Sequence, residues 1–184
     1  TMETSTHNVT VNGSITNNGA YTNSVSPATS RLYLNGTSVQ HINGTGSFGR
    51  IELNNSSGAR LDNNISLSED IALTNGILDI NQYLLTLGSN SDITGSGFGL
   101  TKMIKLDAVL SNLGIQKHFN VGYSGAIVYP IGVTGKYTPA TLTVNATGAG
   151  YVRIKGINER HPATLSPLNV LNYYWAVEGS ISAF

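Results

Sequence analysis

The chain has 184 residues, ten Lys plus Arg against ten Asp plus Glu, and only 11% charged residues, where an ordinary soluble domain has roughly 25%. Zero net charge removes any general attraction to phosphate backbones or anionic lipid, so nucleic acid and membrane surfaces are excluded as expected partners. The absence of cysteine removes disulfide frameworks, thiolate zinc sites and cysteine nucleophiles together.

From Val9 to Gly97, short apolar pairs return about every twenty residues, each followed by Asn or Asn-Gly. Four segments fall into register: Val9-Thr10-Val11-Asn12-Gly13, Leu32-Tyr33-Leu34-Asn35-Gly36, Ile51-Glu52-Leu53-Asn54-Asn55 and Ile71-Ala72-Leu73-Thr74-Asn75-Gly76. Their starts lie 23, 19 and 20 residues apart, and a period in this range marks a solenoid. Apolar residues at i and i+2 share one face of a strand while the residue between points out. A second alternation follows in each repeat, at Ile15, at Val39 with Ile42, at Ala59 with Leu61 and then Ile65 with Leu67, and at Ile77 with Ile80. Leu85-Thr86-Leu87-Gly88 and Ile93 supply a last partial coil. The expected fold is all-β: a short right-handed parallel β-helix followed by an antiparallel β-sandwich-like cap.

The asparagines favour a stack over a meander of hairpins. Coils about 4.8 Å apart would place Asn12, Asn35 and Asn54 one above another, with their amides hydrogen-bonded in a ladder. Asn75 is displaced by one residue. The rungs are expected to stop after Gly97. Ala108 to Gly114 reads as a short helical turn or a wide loop, and a boundary near residue 100 separates solenoid repeats (1–100) from the cap (101–184).

Longer strand candidates follow at Lys117–Tyr123, Ala126–Ile131, Tyr137–Asn145, Gly150–Ile157 and Val170–Val177, divided by Ser-Gly, Thr-Gly and Pro-containing turns. Aromatic residues concentrate here. In Tyr173-Tyr174-Trp175 alternate rings must point to opposite faces, and the reading is that Tyr173 and Trp175 pack inside while Tyr174 covers the surface. Tyr174 is therefore the candidate ligand-contact aromatic, a platform for a sugar ring. The last residues, Ala176 to Phe184, read as strand, turn and new strand, so the chain is expected to be covalently part of a longer one. No apolar run reaches the roughly 20 residues of a membrane span, so no direct membrane insertion is expected.

Chemical motifs are sparse. Gly44-Thr45-Gly46-Ser47-Phe48-Gly49 matches a dinucleotide fingerprint, but strand residues follow it where a helix N-terminus is required, so it reads as a glycine-rich corner. Ser124, in Gly122-Tyr123-Ser124-Gly125-Ala126, is one residue short of a nucleophile elbow and reads as a hairpin turn. His7, His41, His118 and His161 show no paired ligand spacing, so no metal site is expected. Calcium is the one cofactor alternative, through oxygens of Asp62-Asn63-Asn64 or Glu69-Asp70, although the calcium-binding nonapeptide is missing. Asp62, Glu69, Asp70 and Asp79 would have to cluster for glycosidase or lyase chemistry. Glu52 stacks between Tyr33 and Ala72 rather than between carboxylates, and no Arg or Lys is expected beside these acids. Thr10, Thr37, Thr74 and Thr86 do not align into the flat threonine array of an ice-binding face. No catalytic or cofactor-binding residue is assigned.

The progression Asn35-Gly36-Thr37 with Gln40-His41-Ile42-Asn43-Gly44, Leu53-Asn54-Asn55-Ser56-Ser57-Gly58 and Leu73-Thr74-Asn75-Gly76-Ile77-Leu78 resembles the repeats of large exported surface proteins of Bacteroidetes. Tyr129-Pro130-Ile131-Gly132, Tyr137-Thr138-Pro139-Ala140 and Asn172-Tyr173-Tyr174-Trp175-Ala176-Val177 extend the resemblance in the same order. It implies an extracellular or cell-surface module of an adhesin-like cargo of type IX secretion, held at the outer membrane by other regions. The expected function is a non-catalytic structural or adhesive module contacting surface glycans or proteins. The alternative is a carbohydrate-active enzyme using the solenoid flank.

Overall fold

The computed structural model describes residues 2–3, 7–22, 30–106, 109–110, 113–165 and 168–181. Among these there is no helix. Strand β1 (Met2–Glu3) precedes a first full turn of β2 (Val9–Val11), β3 (Ile15–Thr16) and β4 (Ala20–Thr22). The second turn is β5 (Leu32–Leu34), β6 (Gln40–Asn43) and β7 (Ser47–Phe48), and the third is β8 (Ile51–Asn54), β9 (Ala59–Leu61) and β10 (Ile65–Leu67). The fourth is β11 (Ile71–Asn75), β12 (Leu78–Asp79) and β13 (Leu84–Leu87), and a looser fifth is β14 (Ile93–Gly95), β15 (Ile104–Lys105) and β16 (Gly114–Phe119). The remaining strands are β17 (Ser124–Tyr129), β18 (Ile131–Val133), β19 (Lys136–Tyr137), β20 (Ala140–Asn145), β21 (Gly150–Ile157) and β22 (Tyr174–Gly179).

Each turn contributes one strand to each of three faces, and the expected β-solenoid is what forms. The first face stacks β2, β5, β8, β11 and β14, all in parallel. The second stacks β3, β6, β9, β12, β15 and β18 in parallel, with β19 added antiparallel. The third stacks β1, β4, β7, β10, β13 and β16 in parallel and then continues antiparallel through β21 and β22. The register expected for the first face holds: Val9 pairs with Leu32, Leu32 with Ile51, and Ile51 with Ile71.

The core is a set of columns. Leu34, Leu53 and Leu73 are each at most 1% exposed, and burying one such side chain stabilises by about 1.5–3 kcal/mol. Tyr21, Phe48, Leu67 and Leu87 form a matching column behind the third face. The ladder runs on past Gly97, where the rungs were expected to stop: β15 pairs with β12 and β16 with β13. The main core correspondingly continues through Ile104, Leu106, Ile115, Ile131 and Ile154. The spacing lengthens at this point, so the repeat loses its period in sequence while keeping it in space. Of the stretch from Ala108 to Gly114, read as helical turn or loop, Ala108, Ser111 and Asn112 lie outside the described residues, and Gly114 already opens β16.

The cap closes the upper end. The antiparallel pair β17–β20 lays its inward residue Val144, with Ala146 just beyond β20, against Phe119, Val152 and Ile181 in a second small core. This is two-layer sheet packing, the sandwich-like element that the alternating strands of the second half imply.

One inward assignment shifts by a residue. The second alternation pairs Gln40 with Ile42 toward the core, not Val39 with Ile42, and Val39 is 49% exposed. Likewise Leu78 and Ile80 are fully buried, whereas Ile77 is only half-buried. A glutamine turned inward is invisible to a pattern of apolar residues.

Candidate functional site

The aromatic run lies on β22, antiparallel to β21, with Trp175 opposite Gly156 and Val177 opposite Ile154. Trp175 is 42% exposed, which corrects the reading that it packs inside. Among the described residues strand β22 is the outermost strand of the third face, and no further strand covers one side of the indole. The ring is nonetheless held. Its Nε1–H donates to the Thr138 carbonyl at 3.0 Å, and the Tyr173 ring meets it edge-on with centroids 5.9 Å apart. Beside it opens a slot of about 390 Å³ lined by Pro139, Leu142, Ile154, Trp175 and Val177. The slot is mainly apolar because it lies between the inner surface of β21–β22 and strand β20. Tyr174 points the opposite way, half-buried, with its ring edge-on to His161 at 4.8 Å.

On the solenoid flank, Glu52 stacks between Tyr33 and Ala72 as expected. The flank acids do have basic neighbours, contrary to expectation. Arg31 lies 3.7 Å from Glu52, Arg50 lies 3.6 Å from Glu69 and 3.7 Å from Asp70, and Lys105 lies 2.9 Å from Asp79. Asp62 accepts from His41 Nδ1 at 2.7 Å with Arg60 at 3.9 Å. Apart from Arg60, which lies two residues before Asp62, these partners come from adjacent turns, so linear spacing hides them. Among the described residues each of these acids thus has a basic side chain within 4.0 Å.

The other motifs resolve into structure. Gly44 sits at a corner with φ of 102°, where a side chain would run into the Asn17 backbone. Strand β7 follows it at once. Ser124 is not in the hairpin turn expected of it: it opens β17 and donates to Asn145 Oδ1 at 2.6 Å across the antiparallel β17–β20 pair. His118 meets the Gln116 amide at 2.9 Å. Among the described residues no three His, Asp or Glu side chains converge as a metal cluster. Of the asparagine ladder, Asn54 donates to Asn35 Oδ1 at 2.9 Å. Asn12 occupies the place below Asn35 and is exposed, and Asn75 is brought opposite Asn54 by a register shift.

Four buried polar groups escaped sequence reading. Gln40, 2% exposed, donates to the carbonyls of Val11 and Gly13 and accepts from the Gly36 N–H. Asn55, 1% exposed, donates to the Ser38 carbonyl, Gln40 Oε1 and the Gly58 carbonyl, and accepts from the Ser57 N–H. Lys117 takes the inward place above Leu87 and sends its Nζ to the carbonyls of Gly88 and Ser89 at 2.7 and 2.8 Å. Burial lowers its pKa, against the opposing pull of Asp92 and Asp70.

Tyr129 is 1% exposed and its hydroxyl makes no hydrogen bond among the described residues. Burial first, then Tyr123 and Asp92, push its ionisation well above the usual tyrosine range. A buried hydroxyl without a partner costs about 1–3 kcal/mol. Tyr129→Phe is therefore expected to raise stability by about 1 kcal/mol in a urea titration at pH 7. Above pH ~10 the unfolded tyrosine ionises while the folded one stays protonated, so the native chain loses stability as pH rises. The Phe variant should lose up to one proton's worth less of that slope, and an unchanged slope would show that Tyr129 does not titrate this way.

These features define the class: a three-faced parallel β-solenoid closed at one end by antiparallel strands. No family model, no curated protein and no solved structure matches the chain.

Proposed function

We propose that the chain is a non-catalytic structural or adhesive module of a larger exported surface protein, with contacts to surface glycans or proteins made by the cap. The observation that carries the adhesive part is Trp175, a half-exposed indole pinned by Thr138 and Tyr173 beside an apolar slot. A rigid aromatic face stacks on the apolar side of a sugar ring at little entropic cost. Tyr174, the aromatic favoured by sequence, lies on the other surface against His161. The solenoid serves as spacer and scaffold. Its cross-strand ion pairs, which link successive turns along the flank, support that role.

A glycan array separates the two aromatics. Binding lost on Trp175→Ala but kept on Tyr174→Ala is the expected result, with a drop of at least tenfold, equivalent to about 1.4 kcal/mol. Loss on Tyr174→Ala alone would move the site to the opposite surface. Silence of the unaltered protein across plant, host and microbial glycans would leave only the structural role.

A further inference from the structure

A slot of about 360 Å³ opens between β14 and β17, bounded by Asp92, Ile93 and Thr94 on one side and by Tyr123, Ala126 and Val128 on the other. The geometry points to a strand-docking site, in which an extended segment of another protein lies along β14 and β17 with a Lys or Arg beside Asp92. The Trp175 slot is lined by β20 and not by β17, so this site does not depend on the glycan reading.

Three observations converge. First, the ladder of the first face breaks inside the chain. In chain order each earlier turn places a first-face strand between a third-face strand and the next second-face strand, and β17 falls in that position between β16 and β18. Among the described residues it pairs with β20 instead, and β14 pairs with β11 alone. A bulge accounts for the break. Gly122, with φ of 81°, and Tyr123 stand together opposite Ala146: Gly122 N–H donates to the Ala146 carbonyl and Ala146 N–H to the Tyr123 carbonyl, both at 2.8 Å. Such a bulge bends its strand and increases the local twist.

Second, both strands turn main-chain groups to the slot. Ile71 N–H donates to the Asp92 carbonyl at 2.9 Å, so Ile93, which pairs with Ile71, directs its own N–H and carbonyl away from β11. On β17 alternate residues exchange bonds with β20, and the Tyr123 carbonyl bond sets the phase. Gly125 and Ile127 therefore face β20, while Ala126 and Val128 turn N–H and carbonyl to the open edge. The slot surface is mainly polar, although Ile93, Ala126 and Val128 have no polar side-chain atom. Edges of this kind are templates for an added strand. Third, charge selects the occupant. Asp92 is exposed, and among the described residues its carboxylate has no cation within 4.0 Å, unlike Glu52, Asp62, Glu69, Asp70 and Asp79. Lys117 directs its Nζ to the Gly88 and Ser89 carbonyls instead. A Lys or Arg on the incoming strand supplies the partner, and Val128, 53% exposed, receives an apolar side chain from it.

A phage-displayed library of random short peptides, selected against the unaltered protein, should yield binders that are apolar at alternate positions and carry Lys or Arg at one end. Synthesised and added back, these peptides should protect the Ile93 and Ala126 amides from hydrogen exchange. Ala126→Pro removes an N–H that points away from β20, at an edge where proline is tolerated. It should weaken peptide binding by at least about tenfold, with the melting temperature reporting that the variant is folded. Asp92→Asn should weaken binding by about threefold and abolish the preference for a basic residue. Trp175→Ala should leave peptide binding unchanged, which separates this site from the glycan platform. A selection without binders, peptides that leave the Ile93 and Ala126 amides unprotected, or affinity indifferent to Ala126→Pro would each overturn the proposal. So would enriched sequences without a basic residue, or peptide binding lost on Trp175→Ala.

Discussion

Gly76→Ala will lower the free energy of unfolding by at least about 3 kcal/mol, read as a fall in the urea midpoint at unchanged slope. Gly76 turns the corner between β11 and β12 with φ of 92°. A non-glycine residue in that region costs roughly 1–3 kcal/mol on conformation alone. The larger cost is steric. A Cβ at this position would run into the backbone carbonyl oxygen of Asn55 in the turn below, with the Gly58 Cα also in contact. That backbone cannot retreat without breaking the Asn55 N–H to Asn75 carbonyl bond that stacks the two turns. Gly13→Ala is the control, because nothing lies within 4 Å of its would-be Cβ, and it should be neutral within about 0.5 kcal/mol. Equal effects at the two positions would show that the corner is not sterically closed.

The second large effect belongs to Asn55. Its amide bonds the Ser38 and Gly58 carbonyls and Gln40 Oε1, and its carbonyl receives the Ser57 N–H. Asn55→Ala leaves several buried polar groups without partners, each worth about 1–3 kcal/mol, so a loss of about 3 kcal/mol is expected. Gln40 belongs to the same network and reaches down to Val11 and Gly13. A double-mutant cycle with Gln40→Ala should therefore be non-additive by about 1 kcal/mol or more, and simple additivity would mean that the two amides act independently. This corner binds three successive turns, so the variants should also lose cooperativity at the first turn before the rest.

Much of the solenoid was legible because the first face repeats one simple pattern. Val9, Leu32, Ile51 and Ile71 each start an apolar pair, followed directly by Asn in the first three and one residue later in the fourth, and their pairing follows that spacing. The second face was read one residue out of register at Val39, because the inward residue of β6 is Gln40. Lys117 escaped for the same reason, since it fills an inward place in the fifth turn. The continuation past Gly97 was missed because β15 and β16 lie at longer intervals from their partners β12 and β13. A ladder needs matching strands, not matching loops, and longer loops lengthen the period without breaking the stack.

At the candidate site, alternation along Tyr173-Tyr174-Trp175 was sound, and the choice of buried face was not. Strand periodicity places Trp175 opposite Tyr174. Whether a ring on the inner side is covered depends on how many strands lie beyond it, and among the described residues β22 is the outermost strand of its face. The ion pairs of Glu52, Asp79 and Asp62 likewise depend on which turns become neighbours.

By itself the sequence determined the strand character, the coil period and the stacking register of the first face, because these follow from local alternation and from corners that admit Asn and Gly. Only the tertiary structure decided which polar side chains turn inward, which charges meet and which aromatic remains uncovered. Those outcomes depend on contacts between residues about twenty or more positions apart, and no local pattern along the chain encodes them.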